Sequence, residues 1–233
     1  MTTAGREAGV AGDARTAVVA GIRERGAVAV LRFAQAAHTL RAAEWLVAGG
    51  VTALEVTLTT PGALDAIATI KSRHGDAVLV GAGSVLDVGA AHAAVEAGAA
   101  FIVSPVCSPE VMRATHALGV AMMPGAFTPT EILAAHALGA DVVKVFPSEV
   151  LGPTFIKGVL GPMPFLQLMP TGGVTPENAG DWLRAGAVAV GLGSALADPR
   201  LVAAGDEAQV TARARRLMET VRATRAATDG ASA

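Results

Sequence analysis

The sequence predicts an α/β protein of the (β/α)8 TIM-barrel class, built as a single domain, on three observations. Eight short apolar runs alternate with Ala-rich helical stretches, the connections between them are short, and 233 residues fit the roughly 200 to 250 that such a barrel occupies. The runs are AVAVL (27 to 31), ALEVTL (53 to 58), AVLVGA (77 to 82), FIVS (101 to 104), VAMMP (120 to 124), VVKVF (142 to 146), FLQLM (165 to 169) and AVAVGLG (187 to 193). Each has the length and apolar continuity of a strand buried on both faces. Helix starts are signalled where Ser or Thr precedes Pro, at Thr60, Ser108, Thr128 and Thr175, because the hydroxyl caps free N–H groups and proline suits the first helical position. Helix ends are signalled by Gly50, Gly98, Gly119, Gly139 and Gly186.

Strands alternating with helices must run parallel and be joined by right-handed crossovers, in an open sheet or a closed barrel. Eight units in this length favour the barrel. An open nucleotide-binding sheet is disfavoured because no strand leads into G-x-G-x-x-G with an acid about 20 residues later. The barrel is expected over residues 16–222, with disordered tails at 1–15 and 223–233, where apolar periodicity is missing.

Composition removes several function classes. The formal net charge is −2, from 18 Lys plus Arg against 20 Asp plus Glu, and no basic block occurs, so no nucleic-acid partner is expected. The uncharged stretch between Gly158 and Pro176 is interrupted by Pro162, Pro164 and Pro170, which argues against a membrane span. Cys107 is the only cysteine, so no internal disulfide forms and a reduced cytoplasm is the expected location. The five histidines show no paired spacing; no metal site and no cofactor are expected.

Of three lysines, Lys71, Lys144 and Lys157, only Lys144 lies inside an apolar strand. Burial disfavours the charged form of an amine, so a lysine in such a strand is suited to attack a carbonyl. Glu55 is equally anomalous in ALEVTL, where Leu54, Val56 and Leu58 all call for burial. The second and sixth strands of a barrel lie opposite each other and share an interior layer. Glu55 and Lys144 can therefore meet across the lumen, giving an acid/base beside a nucleophilic amine, as imine formation and carbon–carbon cleavage require.

Arg32 directly follows the first strand, at the carboxyl end where barrel active sites form, and its planar fork suits a substrate carboxylate. Glycine-rich turns follow the last two strands, in PTGGVTPEN (170 to 178) and VGLGSAL (190 to 196); this is the common phosphate site of barrels. GAGSVLD (81 to 87) brings Ser84 to the same mouth. A phosphosugar isomerase or epimerase, or a non-catalytic phosphate-binding barrel, would use the same turns without an imine, and Lys144 argues against both.

EVTLTTPGALDAI, GAGSVLD, FIVSP, MPGAFTPTE, VKVFPSEVLGPTFIK and MPTGGVTPEN resemble, in order and spacing, the family of 2-keto-3-deoxy-6-phosphogluconate (KDPG) and 4-hydroxy-2-oxoglutarate (KHG) aldolases. The resemblance runs from about Val28 to Leu196. It implies a class I aldolase with Lys144 as the Schiff-base lysine and Glu55 as general acid/base. It also implies pyruvate contacts at Arg32 and Ser84, contact of Thr171 with substrate hydroxyls, and phosphate contacts at Gly172, Gly173, Gly193 and Ser194. A homotrimer is implied by the resemblance alone. Some relatives carry an arginine at the position of Thr59 to hold the pyruvate carboxylate; this chain has Arg32 instead, as another branch of the family does. The expected reaction cleaves KDPG to pyruvate and glyceraldehyde 3-phosphate, with KHG, giving pyruvate and glyoxylate, as the alternative.

Overall fold

All eight apolar runs form parallel strands. The structure, a computed structural model, describes the backbone of residues 3–231 and the side chains of residues 14–228. The strands are β1 (Ala27–Leu31), β2 (Ala53–Thr57), β3 (Leu79–Gly83), β4 (Phe101–Val103), β5 (Ala121–Met123), β6 (Gly125–Ala126), β7 (Val143–Val145), β8 (Leu168–Pro170) and β9 (Val190–Leu192). The run expected at 120 to 124 forms β5 and stops at Pro124, which has no N–H for the ladder; β6 resumes just beyond it, outside the expected run. The helices are α1 (Thr3–Arg25), α2 (Ala36–Ala48), α3 (Ala63–His74), α4 (Val88–Glu96), α5 (Pro109–Ala117), α6 (Pro129–Ala137), α7 (Pro153–Leu160), α8 (Ala179–Arg184), α9 (Pro199–Ala204) and α10 (Glu207–Ala231).

The strands form a curled parallel sheet in two parts, β5-β4-β3-β2-β1-β9 and β6-β7-β8. An isolated parallel bridge between Thr171 and Gly191 links the second part to β9. At the other side, Lys144 N–H donates to Pro124 O at 2.9 Å. Because side chains alternate along a strand, each strand divides its residues between two cores. Val28, Phe101, Met123 and Met169 lie inside the curl with Val19 and Ile22 of α1. Leu54, Val56, Ile102 and Leu192 face outward against helices, for example onto Ile67 of α3.

Two of the four expected helix caps hold. Ser108 accepts from Val111 N–H, and Thr128 forms a reciprocal capping box with Glu131. The other two are corrected. α3 starts at Ala63 behind Gly62, without a side-chain cap, and α8 starts at Ala179 while Thr175 bonds reciprocally with Asn178. In both cases the hydroxyl is used within the loop at the strand's carboxyl end.

The expected tails differ as well. The described part of 1–15 is helical, and Arg15 donates to Asp141 at 2.9 Å because α1 crosses the open lower end of the curl. Met1 and Thr2 lie outside the described residues. The helix α10 runs past Ala223 to Ala231. Its buried stripe, Val210, Ala214, Leu217 and Val221, continues to Thr224, which packs where Gly180 leaves room for it. A polar residue at that apolar spacing concealed the continuation from the sequence. No helix among the described residues is long and apolar enough to cross a membrane.

Candidate active site

The alternation that buries Leu54 and Val56 outward turns Ala53, Glu55 and Thr57 into the lumen. On β7 the same rule sends Val143 and Val145 outward and Lys144 inward. Glu55 and Lys144, expected to meet, do so: Lys144 Nζ lies 3.5 Å from Glu55 Oε1, with side-chain exposures of 6% and 1%. Burying two opposite charges costs desolvation that their attraction offsets only partly, so core stability does not account for the pair. Both Glu55 oxygens are buried without a hydrogen-bond partner. They keep acceptor capacity for a proton carried by something entering the site. The Lys144 ammonium also lies 5.3 Å from the Phe146 ring centroid, an aromatic wall that sequence reasoning did not single out.

Space for these long side chains comes from inward-facing glycines. A Cβ on Gly83 would lie 2.6 Å from Cγ and Cδ of Glu55, and closer still to Oε1. A Cβ on Gly191 would meet the Thr171 side chain, 3.1 Å from its Cβ. Period-two reading of GAGS beside ALEVT could have found Gly83, since it pairs in register two residues beyond Glu55, at Thr57.

Arg32, Thr171, Gly193 and Ser194 are brought together around one cavity of about 350 Å³, with Val30 and Pro199 among its walls. Thr171 Oγ1 is buried there without a hydrogen-bond partner. Gly172 and Gly173 form the adjoining turn, both with positive φ, 100° and 71°, conformations that glycine adopts without steric cost. They do not line the cavity. Instead Ser148 Oγ donates to Gly172 O at 2.7 Å. Ser84, at the end of β3, is the one non-glycine residue with positive φ among the described residues, at 59°. Backbone strain of this kind gathers at ligand sites. Burial pushes the Cys107 thiol above the ordinary value, which leaves it a poor nucleophile. No cluster of three or more metal-binding side chains occurs among the described residues.

Residues 18–213 match the family profile described as KDPG and KHG aldolase. The chain is 37% identical over 198 residues to a 2-dehydro-3-deoxy-phosphogluconate aldolase of Pseudomonas aeruginosa, covering 84% of this chain and 90% of that one. It is 39% identical over 177 residues to the enzyme of the same description from Treponema pallidum, covering 76% and 84%. A crystal structure of KDPG aldolase from Legionella pneumophila, with pyruvate captured as a covalent carbinolamine intermediate, superimposes with a TM-score of 0.76 at 29% identity, covering 82% of this chain and 93% of that one. The chain is thus an aldolase, a carbon–carbon lyase. It belongs to the family of KDPG and KHG aldolases.

Proposed function

We propose that this protein is a class I aldolase that reversibly cleaves KDPG to pyruvate and glyceraldehyde 3-phosphate, with Lys144 as the Schiff-base residue. One observation carries the reading: a buried amine lies 3.5 Å from a buried carboxylate whose oxygens are otherwise unbonded. Lys144 Nζ attacks the C2 ketone, and loss of water from the carbinolamine gives a protonated imine that acts as an electron sink. Glu55, through a water, takes the proton of the C4 hydroxyl. The C3–C4 electron pair then flows into the imine, releasing the aldehyde and leaving a pyruvate enamine. Protonation at C3 and hydrolysis return the free lysine.

The remaining assignments follow the same axis. Arg32 holds the carboxylate of the pyruvate half, Ser84 contacts that half, and Thr171 meets substrate hydroxyls. Gly193 and Ser194, with the Gly172 and Gly173 turn beside them, hold the phosphate. The bridge at Thr171 and the continuity through Pro124 support reading the curled sheet as a closed eight-stranded barrel. We also place the enzyme in the cytoplasm as a homotrimer.

The test is incubation with pyruvate and sodium borohydride, followed by mass spectrometry. A stable pyruvyl adduct is expected on Lys144 and should vanish in Lys144→Arg, whose guanidinium stays protonated. Label confined to Lys71 or Lys157, or no label, would overturn the mechanism.

A further inference from the structure

Three threonines near the mouth carry a hydrogen-bond network that the catalytic scheme does not use. Thr57 is fully buried and Thr60 is 2% exposed. Thr57 Oγ1 donates to Leu31 O at 3.1 Å. It also lies 3.3 Å from Thr60 Oγ1 and accepts from Thr59 Oγ1 at 3.1 Å. Phe33 N–H donates to Thr60 Oγ1 at 3.3 Å.

Proton counting orients every bond in this set. A carbonyl only accepts, so the single Thr57 proton goes to Leu31 O. The Thr57–Thr60 contact must then use the Thr60 proton, and Thr60 keeps its lone pairs for Phe33 N–H. The result is a directed chain, Phe33 N–H to Thr60 O–H to Thr57 O–H to Leu31 C=O. Its two ends are the peptide groups on either side of Arg32. Leu31 C=O belongs to the peptide before the Arg32 Cα and Phe33 N–H to the peptide after it, so the chain restrains both backbone torsions of Arg32. Thr57 projects from the same face of β2 as Glu55. The strand that carries the acid/base thereby also anchors the arginine.

We propose that Thr60, acting with Thr57, is a positioning residue that aims the Arg32 guanidinium into the cavity it shares with Thr171 and Ser194. This rests on the reading of Arg32 as the carboxylate contact. Thr60 stands where a helix cap was expected, yet α3 has no side-chain cap; its hydroxyl serves the loop of the neighbouring strand. Among the described residues the Arg32 side chain, which lines the cavity, has no hydrogen-bond or ion-pair partner; the clamp acts on its backbone and leaves its five donors for an anion.

The experiment measures half-saturation of borohydride trapping on Lys144 by pyruvate and by hydroxyacetone, an uncharged ketone. Enzymes compared are the parent, Thr60→Val, Thr60→Ser, Arg32→Met and the Thr60→Val/Arg32→Met double variant. With both hydrogen bonds of its hydroxyl removed from the clamp, Thr60→Val should raise the pyruvate value about 10-fold, while Thr60→Ser stays near the parent. Hydroxyacetone should be nearly unaffected in all variants. In the Arg32→Met background, adding Thr60→Val should change the pyruvate value by less than about 2-fold, the signature of residues that act as one unit. Equal factors in both backgrounds, or equal loss with hydroxyacetone, would overturn the clamp. An Arg32→Met enzyme with unchanged pyruvate saturation would instead overturn the carboxylate reading and the clamp with it, a distinct outcome. If Thr60→Val does not fold, Thr60→Ala runs the same cycle.

Discussion

Replacing Gly83 with alanine adds one methyl group to the wall on which the Glu55 carboxylate rests. The new Cβ would lie 2.6 Å from Cγ and Cδ of Glu55, whereas unstrained carbon–carbon contact begins near 3.5 Å, so about 1 Å of movement is required. Gly83 lies in β3 and is absent from the positive-φ glycines, so the backbone accepts alanine. What moves is the end of the Glu55 side chain. A displacement of about 1 Å in a reacting group costs on the order of 100-fold in rate, equivalent to ~2.7 kcal/mol of barrier. Overpacking itself costs about 1 to 3 kcal/mol, and the flexible carboxylate end puts this case at the low side. For a domain of this size the melting temperature should fall by about 2 to 4 °C per kcal/mol. Pyruvate release followed with a coupled dehydrogenase would read kcat, and a thermal melt would read folding. A well-folded Gly83→Ala enzyme with kcat within about 3-fold of the parent would refute the argument that Glu55 must occupy this position. A rate loss that merely tracks the unfolded fraction would refute it too.

Glu55→Gln, which keeps the shape and removes the base, should lower kcat by about 100-fold or more in the same coupled assay; near-parental turnover would leave Glu55 a structural residue. Ser194→Asp sets a carboxylate beside the phosphate subsite, so KM for KDPG should rise while kcat changes less, and activity on KHG, which has no phosphate, should move little. Equal losses on both substrates would show the phosphate assignment to be wrong, provided the melt is unchanged. Asp141 offers a pH test away from the site. Burial by itself would raise its carboxyl, but bonds from His116, Met122 N–H and Arg15 outweigh that and hold it below the ordinary value. A carboxyl depressed by folding contributes stability above its ordinary value, 3.8, and loses it as pH falls through the lower, folded value. Asp141→Asn should therefore melt lower than the parent near neutral pH, by roughly 1 kcal/mol of stability, and the two melting curves should converge in strong acid. A gap that persists there would show that the ionised carboxylate is not the stabilising form.

Strand existence and order, and the two anomalous residues Glu55 and Lys144, were legible in the sequence. A period of two in apolar runs encodes which face of each strand is buried, and an ionisable residue in such a run is conspicuous on its own. The glycine-rich turns and Arg32 were legible as features of strand ends for a related reason, since parallel connectivity puts every such end at one mouth. Distances between chain segments were not legible. The 3.5 Å approach of Lys144 to Glu55 and the fit of Glu55 against Gly83 depend on how far the sheet curls, which no local pattern encodes. The same holds for Thr60, whose sequence neighbours make it a helix cap; only its proximity to Phe33, 27 residues away, gives the hydroxyl a different acceptor role. The tails expected at 1–15 and 223–233 take in Arg15 and Thr224 because polar residues break the apolar pattern that marks element ends. Tertiary structure decided both, because Asp141 and Gly180 supply partners that lie far off in the chain. Local periodicity thus determined the elements and the chemistry they carry, while the closeness of unlike segments, set by packing of the whole sheet, determined which of those groups act together.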